Sequence, residues 1–392
     1  MVDMAYLQVL AESWSGLVSW GWVLLALFFF TVLIQLFVYW FILARAAWYR
    51  SKPIEDHEEL PAVSVIICAR NDYPGLEQNL PLILEQDYPR FEVVVVDDGS
   101  NDDSNLLLKA MCYRYSHLKV VTLGNSVSFI RGKKLPLSVG IKSASYDVLL
   151  LTDAVCRPAS SGWIRNMAVH FSRGKAIVLG YCAYNPKPGF LNKLIRLDAV
   201  LSALRYGGMS MAGSPYMGVG QNLAYTRTLF YKVKGFTSHY NVIVGDDSLF
   251  VNQAAHKDNT ATEMLPNAFT LTDPPVGLGE WIRQKARNMG SIKYYKRRHK
   301  KILGLFHGSH FLLYPLFALC MIWWGFSDQG YMAMAAFFVW MLSHVVIVKR
   351  ASARLNEEKL SLISLPGDVL LSLLYAVFTV YAVLMKKPTW RQ

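Results

Sequence analysis

Long apolar runs at both ends of the chain flank a central stretch with shorter hydrophobic repeats. The first run, residues 17–44, contains no charged residue. It is longer than the roughly 20 residues that a helix needs to cross a bilayer core of about 30 Å. Three further runs follow the central stretch, at residues 302–326, 331–348 and 362–385. The pattern predicts an N-terminal membrane anchor and a C-terminal membrane region of two or three apolar segments.

The central stretch alternates short β-branched runs with segments of helical spacing. Predicted strands lie at 63–68, 92–96, 119–123 and 147–151, and predicted helices at about 75–86, from Asp102 or Asp103 onward, and at about 135–143. This alternation predicts a doubly wound α/β domain with a mostly parallel sheet. A later apolar stripe at 190–204 fits two structures equally well, a core-facing helix or a helix that carries the site to the lipid surface.

Polar side chains follow three of the predicted strands at their carboxyl ends. Arg70 and Asn71 follow the first strand, Asp97 and Asp98 the second, and Asp153 the fourth. Ligands of open α/β sheets bind at this edge. Carboxylates there accept hydrogen bonds from a base or ribose, or bind a cation near a diphosphate. The first turn lacks the glycine pattern of a dinucleotide-binding fold.

Composition and charge place this domain at a membrane. Hydrophobic residues make up 53% of the chain and charged residues 17%, which is typical of a protein with membrane segments. The net charge is +12, and residues 280–301 hold nine Lys or Arg and one Glu, interleaved with aromatic residues. Next to a membrane run, such a segment favours anionic lipid and a pyrophosphate over nucleic acid. The five cysteines lack metal-type spacing and are expected to be reduced.

Cations near the apolar runs indicate the orientation. Arg45, Arg50 and Lys52 follow the first run, so the positive-inside rule places the central domain in the cytoplasm. In the C-terminal region, the cations after the second run and those at the C-terminus both indicate the cytoplasm, which a single crossing of the third run cannot satisfy. These cations are Lys349, Arg350, Arg354, Lys359, Lys386, Lys387 and Arg391. A break at residues 365–367 would reconcile them, and the sequence leaves both arrangements open.

Seven short motifs occur in a specific order along residues 60–300. They are VSVIICARND (63–72), VVVVDDGSNDDS (93–104), RGKK (131–134), LLLTDAVC (149–156), the glycine-containing segment 215–236, GDDS (245–248) and WIRQKARN (281–288). In this order and spacing they resemble glycosyltransferase family 2 of the membrane-associated bacterial type. The resemblance implies a GT-A fold and three parts: an anchor at 1–50, a GT-A domain at 60–300 and a membrane region at 301–392.

The resemblance also implies site residues. The nucleotide-sugar-binding positions are Arg70, Asn71, Asp97, Asp98, Lys133, Asp153, Gln284 and Arg287. Asp153 matches the first carboxylate of the family's metal-binding DxD motif, which implies Mg²⁺ or Mn²⁺ as cofactor, but Val155 occupies the second position. We therefore expect reduced metal affinity. Asp247 matches the catalytic base that deprotonates the acceptor hydroxyl, and Asp246 assists it. The structural alternative is that Asp246 caps the helix that follows.

These features predict inverting transfer of a sugar from a nucleotide-diphosphate donor to a membrane-associated acceptor, a lipid-linked sugar or glycolipid. The enzyme would be integral to the bacterial inner membrane, with its catalytic domain in the cytoplasm and no nucleic-acid partner. Two alternatives stay open. A processive polysaccharide synthase is disfavoured because Asn288 stands where the family has tryptophan. A catalytically impaired binding or scaffold subunit is kept open by Val155.

Overall fold

The computed structural model describes residues 4–54, 59–124, 132–242 and 244–384. Arg131 of the third motif and the C-terminal cations Lys386, Lys387 and Arg391 lie outside the described residues. The ten strands are β1 (Val63–Ala69), β2 (Phe91–Asp97), β3 (Leu118–Thr122), β4 (Val148–Asp153), β5 (Arg157–Pro158), β6 (Ile177–Leu179), β7 (Cys182–Tyr184), β8 (Leu223–Thr226), β9 (Thr260–Thr262) and β10 (Thr270–Thr272).

The α-helices surround these strands and continue into the apolar runs. They are α1 (Met4–Phe37), α2 (Ala44–Ala47), α3 (Tyr73–Leu84), α4 (Ser104–Arg114), α5 (Lys134–Ser143), α6 (Trp163–Ser172), α7 (Phe190–Met211), α8 (Arg227–Lys232), α9 (Ser248–Ala254), α10 (Leu278–Met289), α11 (Arg297–Trp324), α12 (Asp328–Arg354) and α13 (Ser364–Leu384). A π-helical segment, Val38–Leu43, joins α1 to α2.

Seven strands form the main sheet, in the order β3-β2-β1-β4-β8-β6-β9. β3, β2, β1 and β4 are mutually parallel, β8 runs antiparallel to β4 and β6, and β9 is parallel to β6. A second sheet has the order β5-β10-β7. The four predicted strands and the predicted mostly parallel α/β sheet are therefore confirmed.

Alternating side chains of β1 and β2 fill two separate cores because successive residues of a strand point to opposite faces of the sheet. Val65 and Ile67 pack with α3 and α6 on one face. Ile66 and Cys68 pack with α5 and α7 on the other. Since both faces of the sheet are covered, the whole of β1 is buried. A continuous apolar run is typical of such a parallel strand.

Helix α7 decides between the two predicted roles of the 190–204 stripe. It packs against β7 and β9 of the α/β domain and against α2, α12 and α13 of the apolar regions at the two ends of the chain. Most of its side chains are buried, whereas Phe190 at its start is exposed. The stripe is therefore core-facing, and the core that it faces includes the membrane helices.

Four described helical segments are long and apolar enough to cross a membrane: Trp20–Ala47, Arg297–Trp324, Asp328–Arg354 and Lys359–Leu384. The last of these corresponds to the third C-terminal run. Leu365, Pro366 and Gly367 do not break it, because they lie in the first turn of α13, where a proline is tolerated. A 3₁₀ segment, Glu358–Ile363, precedes the helix instead.

Polar contacts and one glycine fix the anchor against the rest of the molecule. The Gln35 amide donates to the Phe306 carbonyl oxygen (3.0 Å), and the Tyr39 hydroxyl lies 2.8 Å from Nδ1 of His344. Gly208 of α7 lies so close to the π-helical segment that an added Cβ would sit 2.5 Å from the carbonyl oxygen of Ile42. This close approach joins α7 to the N-terminal apolar helix.

We therefore expect Gly208→Ala to lower stability by about 1–3 kcal/mol, the usual cost of overpacking a tight contact. The midpoint of thermal unfolding, followed by size-exclusion chromatography of the detergent-solubilised chain, measures this. Gly304→Ala is the matched control because an added Cβ there has no neighbouring atom within 4 Å. Equal midpoints for the two variants would contradict the described packing.

Candidate active site

The parallel register brings the predicted strand-end residues to one edge of the sheet. Ala69 of β1 pairs with Asp97 of β2, and Cys68 pairs with Asp153 of β4. The side chain of Asp97 is buried, and its Oδ1 accepts a hydrogen bond from the backbone N–H of Ser100 (3.0 Å). Asp97 therefore stabilises the turn after β2, and its neighbour Asp98 is the carboxylate that can contact a ligand.

Asp98 and Arg70 form an ion pair across the ends of β1 and β2. Nη1 of Arg70 lies 3.5 Å from Oδ2 of Asp98. Partial burial raises the pKa of Asp98, and the Arg70 guanidinium acts against that rise. Asn71 adopts a left-handed conformation (φ 52°), and its side-chain oxygen accepts from the backbone N–H of Asn101 at 2.8 Å. Asn71 thus links the two turns.

Lys133 joins the third motif to the fourth. It follows Gly132, whose φ of 123° lies in the region that favours glycine, and its Nζ contacts Oδ1 of Asp153. Burial opposes the charge of Lys133, but Asp153 and Asp246 outweigh it and hold its pKa above the usual range. These two carboxylates therefore favour the charged form of the ammonium at this edge.

Lys134 was not predicted as a site residue. Its Nζ donates to the backbone carbonyl oxygens of His239 (2.7 Å), Val242 and Val244 (3.5 Å), which precede the GDDS motif. Lys134 is almost fully buried. Its hydrogen bonds join the third motif to the segment that carries the predicted base. A second lysine directly after Gly-Lys was the only signal of this role in the sequence.

The two adjacent aspartates of the GDDS motif face different surroundings. Asp247 is the N-cap of α9: its side chain accepts from the backbone N–H of Ser248 and, at 2.9 Å, from that of Gly220. The structural alternative, that Asp246 caps this helix, is wrong, because the helix begins at Ser248 and only the residue before it can be the N-cap. Asp246 instead interacts electrostatically with Lys133. Burial, and then the charge of Asp247, raise the pKa of Asp246.

A cavity of about 240 Å³ lies beside Asp247. Gln284 of the seventh motif lines it, and its Oε1 lies 3.4 Å from the hydroxyl of Tyr184. Asn288, at the position of the family's tryptophan, also lines the cavity. Arg287 follows Gln284 on α10 but does not contribute to the cavity lining.

The residues at the expected metal position do not form a carboxylate pair. Val155 is aliphatic and 42% exposed, and Asp153 is already bound to Lys133. Among the described residues, no group of three or more His, Cys, Asp and Glu side chains is arranged to hold a metal ion. A divalent cation held in the manner of a DxD motif therefore does not fit these side chains.

A second, mostly apolar cavity of about 660 Å³ lies among the candidate membrane-spanning helices. It shares six lining residues with the first cavity: Arg205, Met289, Ile292, Leu303, His307 and Tyr375. Both cavities therefore meet at one junction between the catalytic part and the membrane part.

Buried charges surround this junction. The carboxylate of Asp198 on α7 is inaccessible to solvent and forms ion pairs with Lys285 of α10 and, at 3.7 Å, with Arg205. The Tyr375 hydroxyl of α13 donates to Asp198 (2.5 Å). These residues were not predicted as site residues. One indication of them was present in the sequence: Asp198 and Arg205 lie two helical turns apart, in and directly after the apolar stripe at 190–204.

Comparisons with known proteins agree with this architecture. Residues 64–243 match the sequence profile of glycosyl transferase family 2. The chain is 23% identical to the probable glycosyltransferase YdaM of Bacillus subtilis over 349 residues, which cover 79% of this chain and 80% of that protein. It is 27% identical to the poly-β-1,6-N-acetyl-D-glucosamine synthase of Staphylococcus epidermidis over 119 residues, 30% of this chain and 27% of the synthase.

A solved structure shares the fold. The mannosyltransferase PcManGT from Pyrobaculum calidifontis, in complex with GDP-Man and Mn²⁺, superposes with a TM-score of 0.56 at 19% identity, over 90% of this chain and 98% of that one. The matched profile covers β1 to β4 with Arg70, Asp98 and Asp153 at their ends, and stops before the GDDS motif. The profile match and the shared fold agree on this sheet, and together they support a domain similar to glycosyl transferase family 2, with a GT-A-like fold, in this part of the chain.

Proposed function

We propose that the chain transfers a sugar from a nucleotide-diphosphate donor, with inversion, to a hydroxyl of a lipid or lipid-linked acceptor at the cytoplasmic membrane face. The observation that carries this proposal is the junction between the two cavities. The cavity beside Asp247 and the apolar cavity among the membrane helices share six lining residues. A lipid in the apolar cavity would present its head group towards the base.

The donor would bind at the carboxyl edge of β1, β2 and β4. Asp98 would accept hydrogen bonds from the base or ribose, since ligands of such sheets bind at this edge. Lys133 and Asp153 lie beside it, where a diphosphate would follow the nucleoside. Arg70, Asn71, Gln284 and Arg287 complete the proposed donor-binding set, and Arg287 would pair with the departing diphosphate. Asp97 would support this set by holding the turn after β2.

Asp247 would act as the base. Its carboxylate lines the cavity while two backbone N–H groups orient it. As the acceptor hydroxyl attacks the anomeric carbon, Asp247 takes the hydroxyl proton, and the bond to the diphosphate breaks with its electrons on the leaving group. Cationic side chains at the donor edge stabilise the charge that develops there. Asp246, on the side of Lys133, would assist.

The acceptor proposal rests on the chemistry of the second cavity. Leu43, Leu201, Phe311, Leu371 and Val380 come from α7, α11, α13 and the anchor and give this cavity an apolar lining. A hydrocarbon chain fits such a lining, because burying it removes apolar surface from water. In the cavity beside Asp247, Asn288 stands where the family has a tryptophan that contacts the acceptor in processive synthases. This replacement favours transfer of single sugars over processive synthesis.

Replacing the base by asparagine tests the proposed chemistry. Asn is also a good N-cap, so Asp247→Asn should fold normally and keep its affinity for nucleotide within a few-fold. We expect its rate of transfer to fall by about 10²–10⁴-fold, the usual contribution of a general base. The measurement is transfer of radiolabelled sugar from nucleotide sugars to a membrane lipid extract. Asp258→Asn, at an exposed carboxylate, is the control, and near-normal turnover of Asp247→Asn would reject the assignment.

Filling the apolar cavity tests the acceptor. Ala376 of α13 lines that cavity, so Ala376→Trp should block a lipid chain and lower transfer to lipid by at least about tenfold, through the volume that it removes. Nucleotide binding at the sheet edge should not change. Leu373→Trp, on the same helix at a position 59% exposed, is the matched control. If both variants transferred sugar equally well, the cavity would not hold the acceptor.

A further inference from the structure

The turn after β4 is fixed in a form that offers no second metal ligand. Asn79 of α3 donates to the carbonyl oxygen of Ala154 (3.0 Å), and the backbone N–H of Cys156 donates to that of Asp153 (2.9 Å). The carbonyl oxygen of Val155 accepts from the Thr272 hydroxyl at 3.4 Å. The side chain of Val155 has no oxygen, so Asp153 is the sole carboxylate of this motif.

The ammonium group of Lys133 already occupies this position. The Lys133 side chain is only 11% exposed, and its Nζ contacts Oδ1 of Asp153. Asp246 adds a second negative charge to the surroundings of the ammonium. An ammonium has three N–H donors, and the contact with Asp153 leaves the others for phosphate oxygens. A dication bound to Asp153 would have to displace Lys133 or lie beside it, and two nearby cations repel each other.

We propose that Lys133 takes over the role of the divalent cation, so that the chain binds the donor diphosphate without a metal ion. This inference rests on the proposed function, because it takes a nucleoside diphosphate as the ligand. Asp153 positions the ammonium, and the ammonium neutralises part of the diphosphate charge. The loss of the second carboxylate at Val155 is then compatible with catalysis, because the charge that binds the diphosphate comes from a side chain.

Calorimetric titration of the full chain in nanodiscs tests this, with UDP, GDP, CDP, ADP and dTDP as probes. For the nucleotide that binds, we expect dissociation constants within about threefold of each other in EDTA and in excess Mn²⁺. Lys133→Met should weaken metal-free binding by about tenfold or more, the contribution of a charge-assisted hydrogen bond. Lys142→Met, at an exposed lysine of α5, the helix that follows Lys133, should bind like the unaltered chain. Thermal unfolding confirms that each variant is folded.

Restoring the missing carboxylate supplies the reverse test. Val155 is partly exposed, so Val155→Asp should be tolerated, and the double variant Lys133→Met/Val155→Asp should bind the nucleotide only with Mn²⁺. Two results would overturn the inference and leave the proposed function standing: binding by the unaltered chain that requires Mn²⁺, or metal-free binding that Lys133→Met does not weaken. If the chain and every variant failed to bind any of the five nucleotides, the proposed function itself would fail, and the inference with it.

Discussion

The parallel register of β1, β2 and β4 is the constraint on which the rest of the site depends. Hydrogen bonding places the carboxyl ends of β1, β2 and β4 side by side at one edge of the sheet. The residues that follow these strands therefore share that edge. Neither the Arg70–Asp98 pair nor the Lys133–Asp153 pair would exist with a shifted register. The two apolar cores, one on each face, specify the register, since a shift by one residue would exchange the faces.

A second constraint acts between the catalytic part and the membrane. Helix α7 belongs to both, because it packs on β7 and β9 as well as on α12 and α13. The buried carboxylate of Asp198 binds Lys285 of α10 and Tyr375 of α13. Removing one partner of such a buried pair leaves an uncompensated charge. The site and the membrane cavity are therefore held in one arrangement, with a junction between them.

The sequence predicted the parallel sheet and its strand ends because both follow from local patterns. The β-branched run at 63–68 and the aspartates after 92–96 are visible without any long-range contact. Contacts between segments that lie far apart in the sequence could not be predicted from local patterns. The pairing of Lys133 with Asp153 spans 20 residues, and the junction between α7, α10 and α13 joins residues more than 80 apart. The alternative role of Asp246 as the cap was wrong because a helix boundary shifted by one residue exchanges the roles of two adjacent aspartates.

The third apolar run and the 190–204 stripe show a related limit. Pro366 and Gly367 were expected to permit a break, yet at the start of a helix a proline costs no hydrogen bond. Whether an apolar stripe faces a protein core or lipid depends on which elements surround it, and periodicity does not carry that information. The start of α13 at Ser364 answered the first question, and the packing of α7 against α12 and α13 answered the second.

The destination of the sugar is the most direct test of the account. The full chain in nanodiscs made with native membrane lipid would be incubated with radiolabelled nucleotide sugars, and the products would be separated by organic extraction and sized by chromatography. We expect label in the organic phase, on a lipid that carries a single added sugar. Label that appears only as free sugar in water, or as a long polymer, would contradict it.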